Sequence, residues 1–504
     1  MNVLANWGAF VIVAVVNFFL SPYIVHHLGD TVYGIWALVG SVTGYLGLLD
    51  LGVRSAVTRY LARYAAAGDT EAAGRMASSA LALFSASAVL ALLLAGSLAA
   101  AMPHLFHLSP EYLAPARMAV LAGGVTVGLS LVAGVFGGTI AGLQHFTLLS
   151  SLDVGLELCR AAAVWLVLGR GGGIIGLALV QLSLALIRLV TYRTMCRRLI
   201  PWLRLSRDSV GRGTIRTIIS FSGYSTLLHS SGMLILYSDS LVIGALLPVS
   251  AVTFFAIGAS LTEYGRTVLS GISQTLTPMT SAMEAASDKE AVSQAFRRSI
   301  RLGTLVVLPI LVTFLVRGPS FIGLWMGEGY RDASGSILRI LTLALCFAAS
   351  YQIVTATMIG LNRHRSMAFI YLAEGGVNLV LSLILARPFG IVGVALGTAI
   401  PRLTASIYYG PKVAREALHV SRVAFAREAW LRPIGAMVPF GLVSLAFEHY
   451  WRASSLSLYF AQVALAIPAA LLGAWLVALD DDERAAAHRW LGDRWAGLAG
   501  TAAG

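Results

Sequence analysis

Apolar runs long enough to cross a lipid bilayer recur from one end of this chain to the other. A spanning helix needs about 20 mostly apolar residues. Such runs lie near 4–22, 32–50, 77–101, 117–141, 147–168, 174–192, 218–247, 250–280, 301–324, 337–360, 367–386, 391–411, 433–448 and 455–479. In lipid, backbone N–H and C=O groups must be satisfied within the protein, which leaves helices as the expected elements. The expected fold class is therefore all-α, a polytopic membrane protein of about fourteen transmembrane helices. Charge agrees: 12% of the residues are charged, about half the share of a soluble protein. No basic leader or cleavage site precedes the first run, so it is expected to stay as the first helix.

The net charge of +12 is almost all arginine, and it sits in short stretches between the apolar runs. That is the topogenic pattern of a membrane protein and argues against nucleic acid as a partner. Twenty-five Arg and Lys fall on the even-numbered connections and the C-terminal tail, against seven on the odd-numbered ones. The positive-inside rule then places both termini in the cytoplasm. The cysteines Cys159, Cys196 and Cys346 show no disulfide or metal spacing, and the histidines show none either. No metal and no cofactor is expected.

The chain also resembles itself. A shift of 219 residues lays Ser41, Thr43, Tyr45, Gly52, Thr58, Asp69 and Ala72 on Ser260, Thr262, Tyr264, Gly271, Thr277, Asp288 and Ala291. A shift of 218 lays Gly142 and Leu143 on Gly360 and Leu361, and one of 217 lays Gly173 on Gly390. Weak identity spread over matching elements is how a duplicated transporter reads. The expected organisation is an N-lobe of six helices with a basic linker (1–213), a pseudo-symmetric C-lobe of six (214–415), and an addition (416–504) of amphipathic linker, two C-terminal helices and tail. The stretches 54–76, 282–300 and 414–432 alternate charged and apolar residues at helical spacing, as segments on the membrane surface do.

Ionisable groups inside a bilayer are costly and are functional candidates by default. Asp153, Glu157 and Arg160 share one face of the fifth run. The repeat sets Asn378 opposite Arg160, with Glu374 one turn before it. Glu263 and Arg266 in the eighth run have glycines as repeat mates, so the fold does not require them. Asp50 and Arg54 close the second run, Asp239 stands without a charged neighbour in sequence, and Arg402 lies in the twelfth run. Arg54, Arg266, Glu263, Arg160, Arg402 and Asn378 are the expected substrate-facing residues. Asp50, Asp153, Glu157, Asp239 and Glu374 are the expected coupling or gating groups, for a proton or sodium gradient. The plain alternative for each is a salt bridge or cap that fastens helices. The acidic run Asp480 to Glu483 reads as a solvated tail.

The opening NFFLSPYIVHHLGDTVYGIWALVGSVTGYLGLLDLGVRSAVTRYLA, with its LGxxxYGxW loop and LLDLG end, resembles the first two helices of Wzx-type polysaccharide-biosynthesis flippases. IVTATMIGLNRHRSMAF fits the same family. The resemblance implies two six-helix lobes of the multidrug and oligosaccharidyl-lipid exporter class, working by alternating access in a bacterial inner membrane. It implies a polyprenyl-diphosphate-linked oligosaccharide as substrate, a phospholipid bilayer as medium, and a polysaccharide polymerase and chain-length regulator as partners. It implies a transporter and not an enzyme, with arginines holding the diphosphate, a role carried onto Arg54 and Arg266. A lipid II flippase and a cation-coupled multidrug exporter share the core. The first helix lacks charged side chains, which speaks against the former, and an exporter usually has twelve helices.

Overall fold

The computed structural model describes residues 2–285, 288–363, 365–485 and 488–489. Among them every regular element is helical: α1 Asn2–Leu46, α2 Val53–Ala66, α3 Thr70–Leu105, α4 Pro110–Gly142, α5 Phe146–Gly169, α6 Gly173–Leu199, α7 Arg212–Leu246, α8 Ser250–Ala285, α9 Lys289–Met326, α10 Arg331–Gly360, α11 Arg365–Thr404, α12 Gly410–Leu418, α13 Arg422–Ala426, α14 Arg432–Tyr450 and α15 Leu456–Gly473. Ten helical stretches among the described residues have the length and apolarity of a bilayer crossing. Two of them, Val11–Ala66 and Arg365–Leu418, run to 56 and 54 residues, about twice the length one crossing takes. α5 and α8 are not among the ten; α5 carries the three charges of its polar face.

The two longest stretches break at glycine. α1 kinks at Gly29, and α11 at Gly390, whose φ of 58° and ψ of −139° favour a residue without a Cβ. α11 then doubles back on itself. Asn378 on its first arm reaches Thr398 on its second at 2.7 Å, and a Cβ on Gly393 would strike the Leu385 carbonyl. The sequence places two runs here, 367–386 and 391–411, and the break falls between them.

The chain forms two compact units, Met1–Ile257 with Arg365–Thr398, and Gly258–His364 with Ala399–Gly504. Unit 1 packs on small residues: Ala95, Ala99, Ala116, Ala119 and Ala178 interleave with Leu38, Val42 and Val120. Small side chains let helix backbones approach closely where lipid offers little hydrophobic drive for helices to associate. Unit 2 packs Leu269, Val307 and Leu311 against Ala349, Ala436, Phe440 and Ala470.

The internal repeat reappears as matching local structure inside each unit. Asp69 caps α3 by accepting from Ala72 N at 2.8 Å, and its mate Asp288 caps α9 by accepting from Ala291 N at 2.9 Å. Gly142 and Gly360 end α4 and α10. A Cβ there would lie 2.9 Å from the Thr58 carbonyl oxygen in one and 2.6 Å from that of its mate Thr277 in the other. The same close approach is thus kept twice.

In unit 2, α9 is fastened at two depths. Arg301, 4% exposed, bonds Glu428 Oε2 at 2.7 Å and Glu483 Oε2 at 2.8 Å, with Asp480 Oδ2 at 2.6 Å. Glu428 sits on a π turn, Arg427–Leu431, whose Trp430 donates to Ser350 Oγ at 3.1 Å. Sixteen residues further along α9, or about 24 Å, Arg317 donates to Gln462 Oε1 at 2.5 Å and to Glu448 Oε2 at 3.4 Å, its guanidinium 4.4 Å from the Tyr459 ring centre. This corrects the reading of the acidic run. Asp481 is solvated, but Asp480 and Glu483 close an ion network. The run follows α15 directly, and Arg301 waits on α9 to meet it.

Candidate functional site

Most of the expected site residues fall into three places. The first is inside unit 1, among α1, α4, α5 and α6. Arg160 forks onto Glu157, with Nε 3.0 Å from both carboxylate oxygens and Nη2 2.6 Å from one of them. Asn17 on α1 clamps the pair, donating to Glu157 at 3.0 Å and accepting from Arg160 at 2.6 Å. One turn earlier on α5, Asp153 accepts from Tyr192 Oη at 2.7 Å and pairs with Arg188 at 3.5 Å. A cavity of about 370 Å³ opens beside these groups, lined by Asn17, Glu157, Arg160 and Arg188 together with the neutral Thr126, Ser130 and Gln181. Of the three charged residues on that face of α5, Glu157 and Arg160 line this space and Asp153 does not.

The second place, also in unit 1, is a buried carboxylate. Asp239 of α7 lies between the arms of α11 and is 5% exposed. It accepts from Thr398 Oγ1 at 2.6 Å, from Asn378 Nδ2 at 3.4 Å and from Ser382 Oγ at 3.4 Å. Ser238 donates to Asn378 Oδ1 at 2.9 Å, and the Val394 carbonyl lies 3.3 Å from Thr398 Oγ1. Among the described residues Asp239 forms no ion pair. One negative charge ringed by neutral oxygens suits a proton or a small monovalent cation, since hard oxygen donors favour hard cations. Glu374 is buried one turn before Asn378. Sequence reading found Asp239 and Asn378 but missed Ser382 and Thr398. The four-residue step from Asn378 to Ser382 was a visible signal, whereas Thr398 reaches the group only because α11 folds back.

The third place is in unit 2. Arg266 of α8 forks onto Glu263 of the same helix, with Nε at 2.8 and 2.9 Å. The two side chains are 46% and 39% exposed at mid-helix. Arg402, also in unit 2, is half-buried near the end of α11. Arg54 is exposed on the first turn of α2 in unit 1, its guanidinium beside Gly134 of α4, and Asp50 ends the 3₁₀ turn before it. Asp50 and Arg54 do not join the Asp239 group. Among the described residues, no cluster of three or more His, Cys, Asp or Glu could hold a metal ion.

Solved structures share this fold. A multidrug resistance MATE family transporter of the MOP superfamily, in its inward-facing conformation, aligns with a TM-score of 0.68 at 16% identity, over 83% of this chain and 99% of that one. The lipid II flippase MurJ, inward closed, aligns with a TM-score of 0.73 at 11% identity, over 94% and 97%. The fold is the one shared by the MATE and MurJ structures.

Within that class, the family model described as polysaccharide biosynthesis protein matches residues 1–284, and the MatE model matches residues 226–384. The chain belongs to the polysaccharide biosynthesis protein family. It is 24% identical over 445 residues to the membrane protein EpsK of Bacillus subtilis, covering 86% of this chain and 85% of that one. It is also 25% identical over 185 residues to the Haloferax volcanii protein named "Probable low-salt glycan biosynthesis flippase Agl15", covering 37% of this chain and 39% of that protein. The Haloferax volcanii protein is named a flippase, and the two solved neighbours are named a transporter and a flippase.

Proposed function

We propose that the chain is a flippase that turns a polyprenyl-diphosphate-linked oligosaccharide across the bacterial inner membrane for surface polysaccharide synthesis. The observation that carries the reading is the family match over residues 1–284 in a chain whose apolar helices hold ionised side chains. The apolar runs of the sequence support fourteen crossings, and the arginine distribution supports cytoplasmic termini. Two lobes, 1–213 and 214–415, rock in alternation, and 416–504 travels with the second. Arg54 and Arg266 are the guanidinium groups assigned to the diphosphate, because guanidinium forks match its oxygens. The prenyl tail stays in lipid. Asp239 is the coupling group: binding a proton or sodium ion there changes the charge between α7 and the arms of α11. A ligand shifts such an equilibrium only by binding one state better than the other, so the ion favours one access state. A polymerase and a chain-length regulator receive the product.

Deleting the gene and following lipid-linked oligosaccharide together with surface polymer tests this. The expected result is loss of polymer with completed lipid-linked units held on the cytoplasmic face, restored by wild type and not by Arg266→Ala at equal expression. Unchanged polymer with new sensitivity to cationic drugs would replace the flippase with an exporter. Arrest of cell-wall synthesis would replace it with a lipid II flippase.

A further inference from the structure

The connection from α6 to α7 carries charge of almost one sign. Between 193 and 216 stand seven arginines and one acid, Asp208. All seven arginines are exposed, and among the described residues none of them forms an ion pair. Asp208 accepts from Ser206 Oγ at 3.4 Å instead. Arg197 and Arg198 fall in the last turn of α6, where a cation suits the helix dipole. Arg204 and Arg207 lie outside any helix, and Arg212 opens α7, at the end where a cation is disfavoured.

The backbone beneath these side chains is tied down. Ser206 N donates to Ser78 Oγ and Gly211 N to Ser79 Oγ, each at 3.1 Å. Ile200 is buried, and Leu203 packs against the same cluster of α4 and α6 side chains. Ser78 and Ser79 stand where the apolar run 77–101 begins, and the apolar stretch of α6 ends at Leu199. The segment is therefore held at the edge of the bilayer. Four large apolar side chains, Leu199, Trp202, Leu205 and Val210, stay exposed among the arginines. Orienting the chain in the membrane calls for the positive charge alone. It does not call for apolar groups between the charges. Basic and apolar side chains interleaved at a bilayer edge suit a lipid surface, where the charges meet anionic headgroups and the apolar groups enter the acyl boundary.

We propose that the α6–α7 connection is a docking surface for anionic phospholipid headgroups. Arg204, Arg207, Arg212 and Arg216 bind the phosphates, and Trp202 and Leu205 sit at the boundary between headgroups and acyl chains. The inference goes beyond the flippase reading and does not depend on it, since it concerns the bilayer and not the cargo.

The test uses the full-length protein in neutral detergent micelles and two probes, phosphatidylglycerol and phosphatidylcholine with the same acyl chains. The rise of the unfolding midpoint with lipid concentration reads affinity. Wild type is expected to bind phosphatidylglycerol about tenfold or more tightly than phosphatidylcholine, with the difference shrinking as salt is raised. Arg204→Gln, Arg207→Gln, Arg212→Gln and Arg216→Gln combined should abolish that preference, and Arg→Lys at the same four positions should keep most of it. A control, Arg63→Gln, Arg297→Gln, Arg415→Gln and Arg422→Gln combined, removes the same charge from other exposed positions and should also keep it. Hydrogen exchange on wild type locates the contact without any substitution: exchange across 200–211 should slow with phosphatidylglycerol and not with phosphatidylcholine. No preference in wild type, protection only elsewhere, or a control that loses as much as the first variant overturns the surface and leaves the flippase reading untouched.

Discussion

Arg301 in unit 2 and Asp239 in unit 1 are shielded to the same degree, 4% and 5% exposed, yet their surroundings differ in kind. Arg301 meets Glu428, Glu483 and Asp480, so its charge is compensated several times over. Asp239 meets two hydroxyls and an amide, so its charge is solvated but not compensated. A compensated buried ion resists change, because either partner left alone would sit uncompensated in a low dielectric. An uncompensated one has a ready route to neutrality in taking up a cation, and it invites one. The contrast separates groups that fasten helices from groups that do chemistry.

Breaking the fastening should have the largest effect on stability. Arg301→Ala strands Glu428 and Glu483, and losing one partner of a buried pair costs about 3–5 kcal/mol. The thermal unfolding midpoint in nanodiscs should fall sharply, and replacing Arg301 with Met together with Glu428→Gln and Glu483→Gln should recover most of it. A loss under about 1 kcal/mol for the single variant, the size expected of an exposed pair, would show that the network does not fasten α9.

The two Glu–Arg pairs sharpen the comparison, because they share i, i+3 spacing and differ in setting. Arg160 is 18% exposed and bonds across to α1, whereas Arg266 is 46% exposed and bonds within its own helix. Arg160→Ala should cost about 1.5–3 kcal/mol, the range for hydrogen bonds to charged groups. Arg266→Ala should cost about 0–1 kcal/mol, as exposed pairs do, while abolishing transport. Calorimetry beside a flipping assay reads both quantities, and equal destabilisation would erase the distinction. Asp239→Asn keeps the shape of its group and removes its charge. Stability should stay level or rise, since an uncompensated buried charge is costly, while dependence of transport on the ion gradient disappears. Gradient-dependent transport surviving in that variant would move coupling elsewhere.

The helical architecture was legible because lipid leaves so few alternatives: runs of apolar residues can only be helices. The repeat was legible where a cap or close approach demanded one residue type, as at Asp69 and Asp288 or at Gly142 and Gly360. Charged site residues were legible because a carboxylate or guanidinium in an apolar run is conspicuous. Neutral ones were not. Thr126, Ser130, Gln181, Ser382 and Thr398 are ordinary helix residues until the packing brings them to a cavity or a carboxylate. Arg301 and Arg317 failed in the opposite sense. By position along the chain they count among the charges at the ends of apolar runs, and only the return of α14 and α15 to α9 buries them.

The smallest effect concerns pH, and it can still break the contrast. Asp480 bridges Arg301 and Arg432 at the start of the tail. Partial burial works against its ionisation, but the hydrogen bonds and charges of the two arginines outweigh that and hold its carboxyl below the usual value of 3.8. A group depressed on folding stabilises fully above its unfolded value, where both states are ionised. That contribution is lost as pH falls through the folded value and the folded state takes up the proton. Between pH 8 and 5 the clasp should therefore be constant. The unfolding midpoints of wild type and Asp480→Asn, followed against pH, should differ by a fixed small amount in that window and converge only in stronger acid. Convergence already between pH 8 and 5 would mean that the compensated network titrates in the range expected of a coupling group. The line drawn between fastening and chemistry would then fail.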